Sequence, residues 1–354
     1  MTLSLRFKPV SHSWVALHPN PKGVIQFVGG AFFGTFGPMV FYRHLLNYFY
    51  EQSYSIVLLP FAFTFNHYRE AGFLAQEQYR VLPELVRMAL MNNYPYEVYL
   101  HERNYVWMGH SVGCKYISLL EGLSALPTDK EQRDAFICEL LRSIQTDTSL
   151  STTERQQYPP RKIQRVIQQI NILVDTLKQD AIAAKNLVEA YIQEYAGSEA
   201  TETALDFTNI FIRNQPSILL APDISDTSSA IRPKALAHLI DRLGLGVKPD
   251  PATTHALIKK SNLFNLLGLV CFKSDNIASE TCHWFTQDLG KPPEQHQKRL
   301  TGGHLRPLGI DIGDVVFNPL LDPLATTTDR RNLFLESHIA DLLKDLGCLC
   351  PLSD

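Results

Sequence analysis

Apolar and polar positions follow two alternating rhythms over the first 126 residues. Val24–Val28 is a short apolar run ending in Gly29-Gly30, the pattern of a buried strand giving way to a tight loop. Pro38 opens a helical stretch to about Gln52, with Val40, Phe41, Leu45 and Phe49 spaced onto one side. Ser55–Leu59 is the next buried strand, stopped by Pro60. From His67 to Asn92 the residues Leu74, Tyr79, Leu82, Val86 and Leu90 recur at helical spacing, with Pro83 as a kink. Asn104–Met108 is a third strand, and Gly113–Leu123 is helical again. Buried strand and helix in strict alternation predict an α/β fold: a mostly parallel sheet with helices on both faces.

The rhythm then breaks. Between Thr128 and Glu202 the pattern contains no strand, only a charged helix in DKEQRDAFICELLRSI and a long one after Pro159-Pro160. The second carries Ile163, Val166, Ile167, Ile170, Leu173, Val174 and Leu177, an amphipathic stripe that must be buried somewhere. The sheet pattern resumes with Ser217–Ala221, a helix over Lys234–Leu243, and a buried strand at Leu267–Phe272. A helix over Ala278–Leu289, a short strand at Gln297–Thr301 and an amphipathic helix over Asn332–Leu346 complete it. This order predicts a core in two halves, residues 1–126 and 209–354, with residues 127–208 inserted as a helical cap.

Composition narrows the class. The 354 residues are 45% hydrophobic and 19% charged, enough apolar matter for a large core and too little charge for a disordered chain. A net charge of −3 gives no global electrostatic reason to bind nucleic acid, so none is expected as a partner. The six cysteines follow no CxxC spacing, which suggests neither a disulfide scaffold nor a zinc ribbon and favours a reducing compartment. No apolar signal-peptide core stands at the N-terminus. Gly23–Tyr42 is uncharged, but its clustered glycines suit a strand and loop better than a spanning helix. The expectation is a cytoplasmic or stromal protein with no bound metal and no cofactor.

The chemistry concentrates in Gly109-His110-Ser111-Val112-Gly113, a G-x-S-x-G motif between a strand and a helix. Such a turn projects a serine hydroxyl above the sheet, and a side chain at either glycine would crowd it. Serine is a poor nucleophile at neutral pH and needs a base oriented by an acid, in the chain order Ser, Asp or Glu, His. Asp275 follows the late strand Leu267–Phe272, and His304 lies after two glycines in a loop beyond the last strand. Asp223, also at a strand end, is the alternative acid; His255, His283 and His296 are the rival histidines. His110 is read as packing, its side chain turned away from the site.

An oxyanion needs two preorganised N–H donors. Val112 supplies the first and the glycine-rich loop after the first long strand the second, with Ala31 preferred. That loop contains neither GxxxxGK[ST] nor GxGxxG, so it is not a phosphate cradle. Phe32, Phe33 and Phe36, with Phe61, Phe63 and Phe65, stand on loops at the C-terminal ends of strands, where the pocket of an open α/β sheet lies. Of these Phe32, Phe33 and Phe63 are the substrate-binding candidates.

With these residues in place the chain, from about Gly23 to Leu346, resembles the α/β-hydrolase fold. More narrowly, Gly23–Phe32, Leu59–His67 and Gly109–Gly113 resemble an uncharacterised cyanobacterial and plastid family known as a domain of unknown function. The resemblance implies the hydrolase fold and a cyanobacterial or chloroplast setting, and it transfers no activity. Gly29 stands where many hydrolases carry histidine before the oxyanion glycine. The expected function is hydrolysis of a lipophilic carboxylic ester through an acyl-serine, with a small-molecule or lipid-like ester as partner. An acyltransferase or thioesterase would use the same serine, and a non-catalytic binding or assembly factor would keep the scaffold without turnover. Oligomeric state and peripheral membrane contact are left open.

Overall fold

A hairpin that the hydrophobic pattern does not reveal opens the fold: Lys8–Val10 (β1) pairs antiparallel with Ser13–Ala16 (β2). Both strands are too short, and β1 too exposed, to show a period. The computed structural model describes residues 4–62, 64, 66–146, 159–197, 205, 207–224, 249–261, 264–312, 315–318, 325–327 and 334–347. Gly23–Val28 (β3), Tyr54–Leu58 (β4), Tyr105–His110 (β5) and Ser217–Leu220 (β6) are buried at every position. Leu267–Phe272 (β7) and Gln297–Leu300 (β8) complete an eight-stranded sheet in the order β1-β2-β4-β3-β5-β6-β7-β8. β2 runs antiparallel to β4, and every pairing from β4 to β8 is parallel.

Continuous apolar runs form these strands because both faces are covered. Val24, Val28, Val57, Trp107, Leu219 and Leu269 point into one core, while Ile25, Phe27, Ile56, Leu58, Val106, Met108 and Val270 point into the other. The first core is closed by His67–Met91 (α4) and Val112–Leu123 (α5), and the second by the helices Arg43–Glu51 (α3) and Phe334–Asp345. Ala31–Thr35 (α1) occupies what the pattern left as a loop, and Pro38–Phe41 (α2) is separated from α3 at Tyr42, so the helix expected to run unbroken to Gln52 is in two pieces. Pro83 sits inside α4 without ending it. This strand order, with an antiparallel hairpin before a parallel run and helices on both faces, is that of the α/β-hydrolase fold.

Lys130–Thr146 (α6) and the 36-residue Pro160–Tyr195 (α7) are the described helices between Thr128 and Glu202. Ile163 packs with Ile137, Leu141 and Ile144 of α6. Further along, Val174, Leu177, Val188 and Ile192 join the core over α4. Gly72 of α4 lets the helices approach, since a Cβ there would lie 2.8 Å from Leu173 Cδ1. The stripe is therefore buried against α6 at its start and along α4 beyond it. Leu177→Ala, at a fully buried position, is expected to cost about 2–5 kcal/mol of stability, read by thermal or denaturant melting. A change below about 0.5 kcal/mol, the range of surface substitutions, would show that this docking is not energetically real.

Elsewhere the helix expected over Ala278–Leu289 is Ser279–His283 followed by a π-helical turn, Trp284–Asp288. Pro251–Ser261 forms a helix on α5. Ile310–Ile312 (β9), Val315–Phe317 (β10) and Ala325–Thr327 (β11) make a small antiparallel sheet that the pattern missed, each strand having only three residues. The helix expected over Lys234–Leu243 lies outside the described residues. Among the described cysteines Cys271 and Cys282 form a disulfide across the turn bearing Asp275, a pairing the spacing gave no sign of. No described helix is long and apolar enough to cross a membrane.

One buried acid makes stability pH-dependent. Glu121, near the end of α5, is raised to about 7 by burial, against the opposing pull of the Phe264 N–H at 3.0 Å and the charges of Lys291 and Arg213. The unfolded chain releases this proton near the ordinary value of 4.5, whereas the folded one keeps it to about 7. Between those values the native state binds more protons, so stability falls as pH rises, by up to roughly 1.4 kcal/mol per unit. Glu121→Gln is expected to flatten that slope in melts taken from pH 4.5 to 8. An unchanged slope would place the titration elsewhere.

Candidate active site

β5 carries Ser111 to the C-terminal edge of the sheet and α5 begins at the next residue. Ser111 has φ 56° and ψ −124°, a conformation that non-glycine residues rarely adopt. The turn is held by its neighbours. Ser111 N–H donates to the Leu220 carbonyl at 3.1 Å, and its own carbonyl accepts from Cys114 at 3.0 Å and Asp223 at 3.2 Å. Both flanking glycines are required. A Cβ on Gly109 would lie 2.9 Å from Cys114 N, and one on Gly113 would run into the Val28 carbonyl.

Ser111 Oγ lies 2.8 Å from His304 Nε2, and His304 Nδ1 lies 2.9 Å from Asp275 Oδ2. The three residues come from the ends of β5, β7 and β8. Asp275 is buried, and its other oxygen accepts the N–H groups of Ile277 at 2.8 Å and Ala278 at 2.9 Å. Burial works to raise its carboxyl, but the His304 bond, the two backbone donors and the histidine's charge outweigh it and hold the group below the ordinary carboxylate range. A carboxylate acceptor on Nδ1 orients the ring so that Nε2 faces the hydroxyl. The partner of His304 Nδ1 is Asp275, while Asp223 contributes its backbone N–H to Ser111. The rival histidines are elsewhere: His255 stacks on Trp284 at 3.9 Å, His283 is exposed in its helix, and His296 sits in a 3-10 turn before β8.

The glycine-rich loop abuts this serine: a Cβ on Gly30 would lie 3.3 Å from Ser111 Cβ. Gly29 leaves no room for the histidine that many hydrolases carry at this point, because a Cβ there would come within 2.6 Å of Gly34 Cα and 2.8 Å of the Tyr42 ring. Ala31 and Val112 are the first residues of α1 and α5, where backbone N–H groups have no intrahelical acceptor. The starts of both helices thus lie next to the Ser111 turn.

The phenylalanines separate. Phe32 and Phe36 are 59% and 64% exposed and touch each other with ring centroids 5.2 Å apart. Phe33 is half-buried against Phe41 at 4.8 Å and packs on the core. Phe61 is buried against Tyr116 at 4.9 Å, so it belongs to the core instead of a pocket wall. Phe63 and Phe65 lie outside the described residues.

His110 corrects the reading of that side chain as mere packing. It is buried, with Nδ1 2.8 Å from Tyr42 Oη and Nε2 2.8 Å from the carbonyl of His304. Tyr42 Oη in turn accepts the Gly30 N–H at 2.8 Å. Burial and the nearby His304 charge lower His110 to about 3, against the opposing effects of the carbonyl bond and Asp275, so its imidazole is neutral at ordinary pH. No sequence spacing signals this network, whose members come from α2–α3, β5 and the loop after β8. Among the described residues no group of three or more His, Cys, Asp or Glu is arranged to hold a metal ion.

A family described as a protein of unknown function (DUF1350) matches residues 6–131, which include the glycine-rich loop and Ser111 but neither Asp275 nor His304. No curated protein matches the chain. Among solved structures, a thermophilic esterase from the Planctomycetes species Thermogutta terrifontis is similar at 13% identity and TM-score 0.43, over 99% of this chain and 95% of that one. Esterase B from Lactobacillus rhamnosis, inhibited by a tributyrin phosphonate, is similar at 11% identity and TM-score 0.38, over 82% of this chain and 69% of that one. Likeness at these values carries no argument about chemistry, which has to come from the residues themselves.

Proposed function

We propose that this protein is a serine hydrolase that cleaves a carboxylic ester through an acyl-serine. The observation that carries the reading is the unbroken hydrogen-bonded line from Ser111 Oγ through His304 to Asp275, beginning at a strained strand-to-helix turn. Ser111 Oγ attacks the ester carbonyl as His304 Nε2 takes its proton, and Asp275 stabilises the imidazolium that results. The N–H groups of Ala31 and Val112 receive the oxyanion. The tetrahedral intermediate collapses as His304 returns the proton to the leaving alkoxide. Water, deprotonated by the same ring, then releases the acid and restores the serine.

Support for an apolar substrate comes from Phe32 and Phe36, which stand exposed on the helix that begins with Ala31. Phe32 is the residue assigned to substrate contact; Phe33, turned toward Phe41, supports it from behind. Residues 127–208 are assigned as an insertion in the hydrolase core, docked on α4 through α7. The test is hydrolysis of p-nitrophenyl esters of graded chain length by the purified protein. Turnover that increases from acetate to medium chains supports a lipophilic ester, and absence of turnover on every ester would count against the reading.

A further inference from the structure

We propose that Tyr42 and His110 are positioning residues that tie the oxyanion loop to the loop carrying the catalytic base. This rests on the serine-hydrolase reading above and adds to it two residues outside the reacting set. The neutral His110 ring has one donor and one acceptor. The His304 carbonyl can only accept, so Nε2 carries the hydrogen and Nδ1 accepts from the Tyr42 hydroxyl. That hydroxyl uses a lone pair for the Gly30 N–H. A directed chain results: Gly30 N–H to Tyr42 Oη, Tyr42 O–H to His110 Nδ1, His110 Nε2–H to His304 O.

The chain joins three parts that the reaction needs in register. Gly30 immediately precedes Ala31, the assigned oxyanion donor. His110 immediately precedes Ser111. The last acceptor is the backbone of the base itself, 194 residues away from His110 in sequence. Both outer loops are glycine-rich, and Gly302 has φ +126°, so neither is held by intrinsic stiffness. The relay supplies the constraint. His110 and Tyr42 are fully buried, so no water competes for these bonds, and removing one member strands the others unpaired. Displacement of a reacting group by about 1 Å can cost on the order of a hundredfold in rate.

Because Tyr42 packs its ring on Phe27 at 4.6 Å, Tyr42→Phe removes the hydroxyl and keeps the packing. The experiment compares wild type, Tyr42→Phe, His110→Leu and His110→Gln for the rate of fluorophosphonate modification, for kcat and KM on p-nitrophenyl acetate, and for melting temperature. Tyr42→Phe is expected to lose between about tenfold and a hundredfold in kcat and in modification rate, with KM within about threefold of wild type. His110→Leu should lose as much or more. His110→Gln, which keeps an N–H donor for the His304 carbonyl, should recover about tenfold over His110→Leu, a rescue that a purely structural role would not produce. Tyr42→Phe and His110→Leu modified at the wild-type rate, or losses confined to KM, would overturn the relay. A wild-type protein that does not react with the probe would overturn the hydrolase reading itself.

Discussion

Ser111→Ala is expected to abolish fluorophosphonate labelling and to lower kcat by on the order of 10³ or more, with the fold intact. The size follows from the way such groups act as a unit: without the hydroxyl, His304 has no proton to take and the oxyanion donors have no tetrahedral intermediate to hold. Stability should scarcely change. The loss is one hydroxyl hydrogen bond, and the smaller side chain sits in the same turn, whose backbone is held by Leu220, Cys114 and Asp223. The strain at φ 56° remains in the variant, because alanine also has a Cβ. Labelling and turnover, measured beside a melting curve, check this. Full turnover in the variant would remove Ser111 from the chemistry.

The second large effect belongs to Asp275→Asn, expected to lower kcat by up to about 10⁴ while the protein still folds. An asparagine can offer its amide nitrogen to His304 Nδ1, which then becomes the acceptor and leaves the hydrogen on Nε2, facing Ser111 where a lone pair is needed. Asp223→Asn should cost far less, since the carboxylate bonded to His304 Nδ1 is that of Asp275. Steady-state kinetics on both variants decide it, and an inactive Asp223→Asn beside a working Asp275→Asn would reverse the assignment. Asp275 also has a stability signature. Its folded carboxyl is held below the ordinary value, so its contribution is fully present above the ordinary carboxylate range and is lost only as pH falls through the lower folded value.

The six parallel strands β3–β8, and the places of Ser111, Asp275 and His304 along the chain, are legible because each rests on a strong local signal. The buried strands are continuous apolar runs, the serine turn cannot tolerate side chains at Gly109 or Gly113, and the acid and histidine follow strand ends in the expected order. What sequence could not show depends on distance along the chain. The Tyr42–His110–His304 network joins segments that share no period or motif, and His110 read alone is only the variable position before the serine of the G-x-S-x-G turn. The break between α2 and α3 arises where Tyr42 turns its hydroxyl inward, which the Pro38–Gln52 periodicity does not record. The strands β1 and β9–β11 have three residues each, too few to establish alternation. The long helix α7 was visible, but where its stripe lies was not, because the amphipathic pattern says that a face is buried and not against what.

Peptide mapping of the purified wild-type protein after reaction with diisopropyl fluorophosphate tests the central claim most directly. The geometry at Ser111 and His304 predicts a single phosphoryl adduct on the peptide carrying Gly109–Gly113, located on Ser111, and its disappearance in His304→Ala. A folded protein that forms no adduct, or forms it on another serine with Ser111 unmodified, would contradict the account.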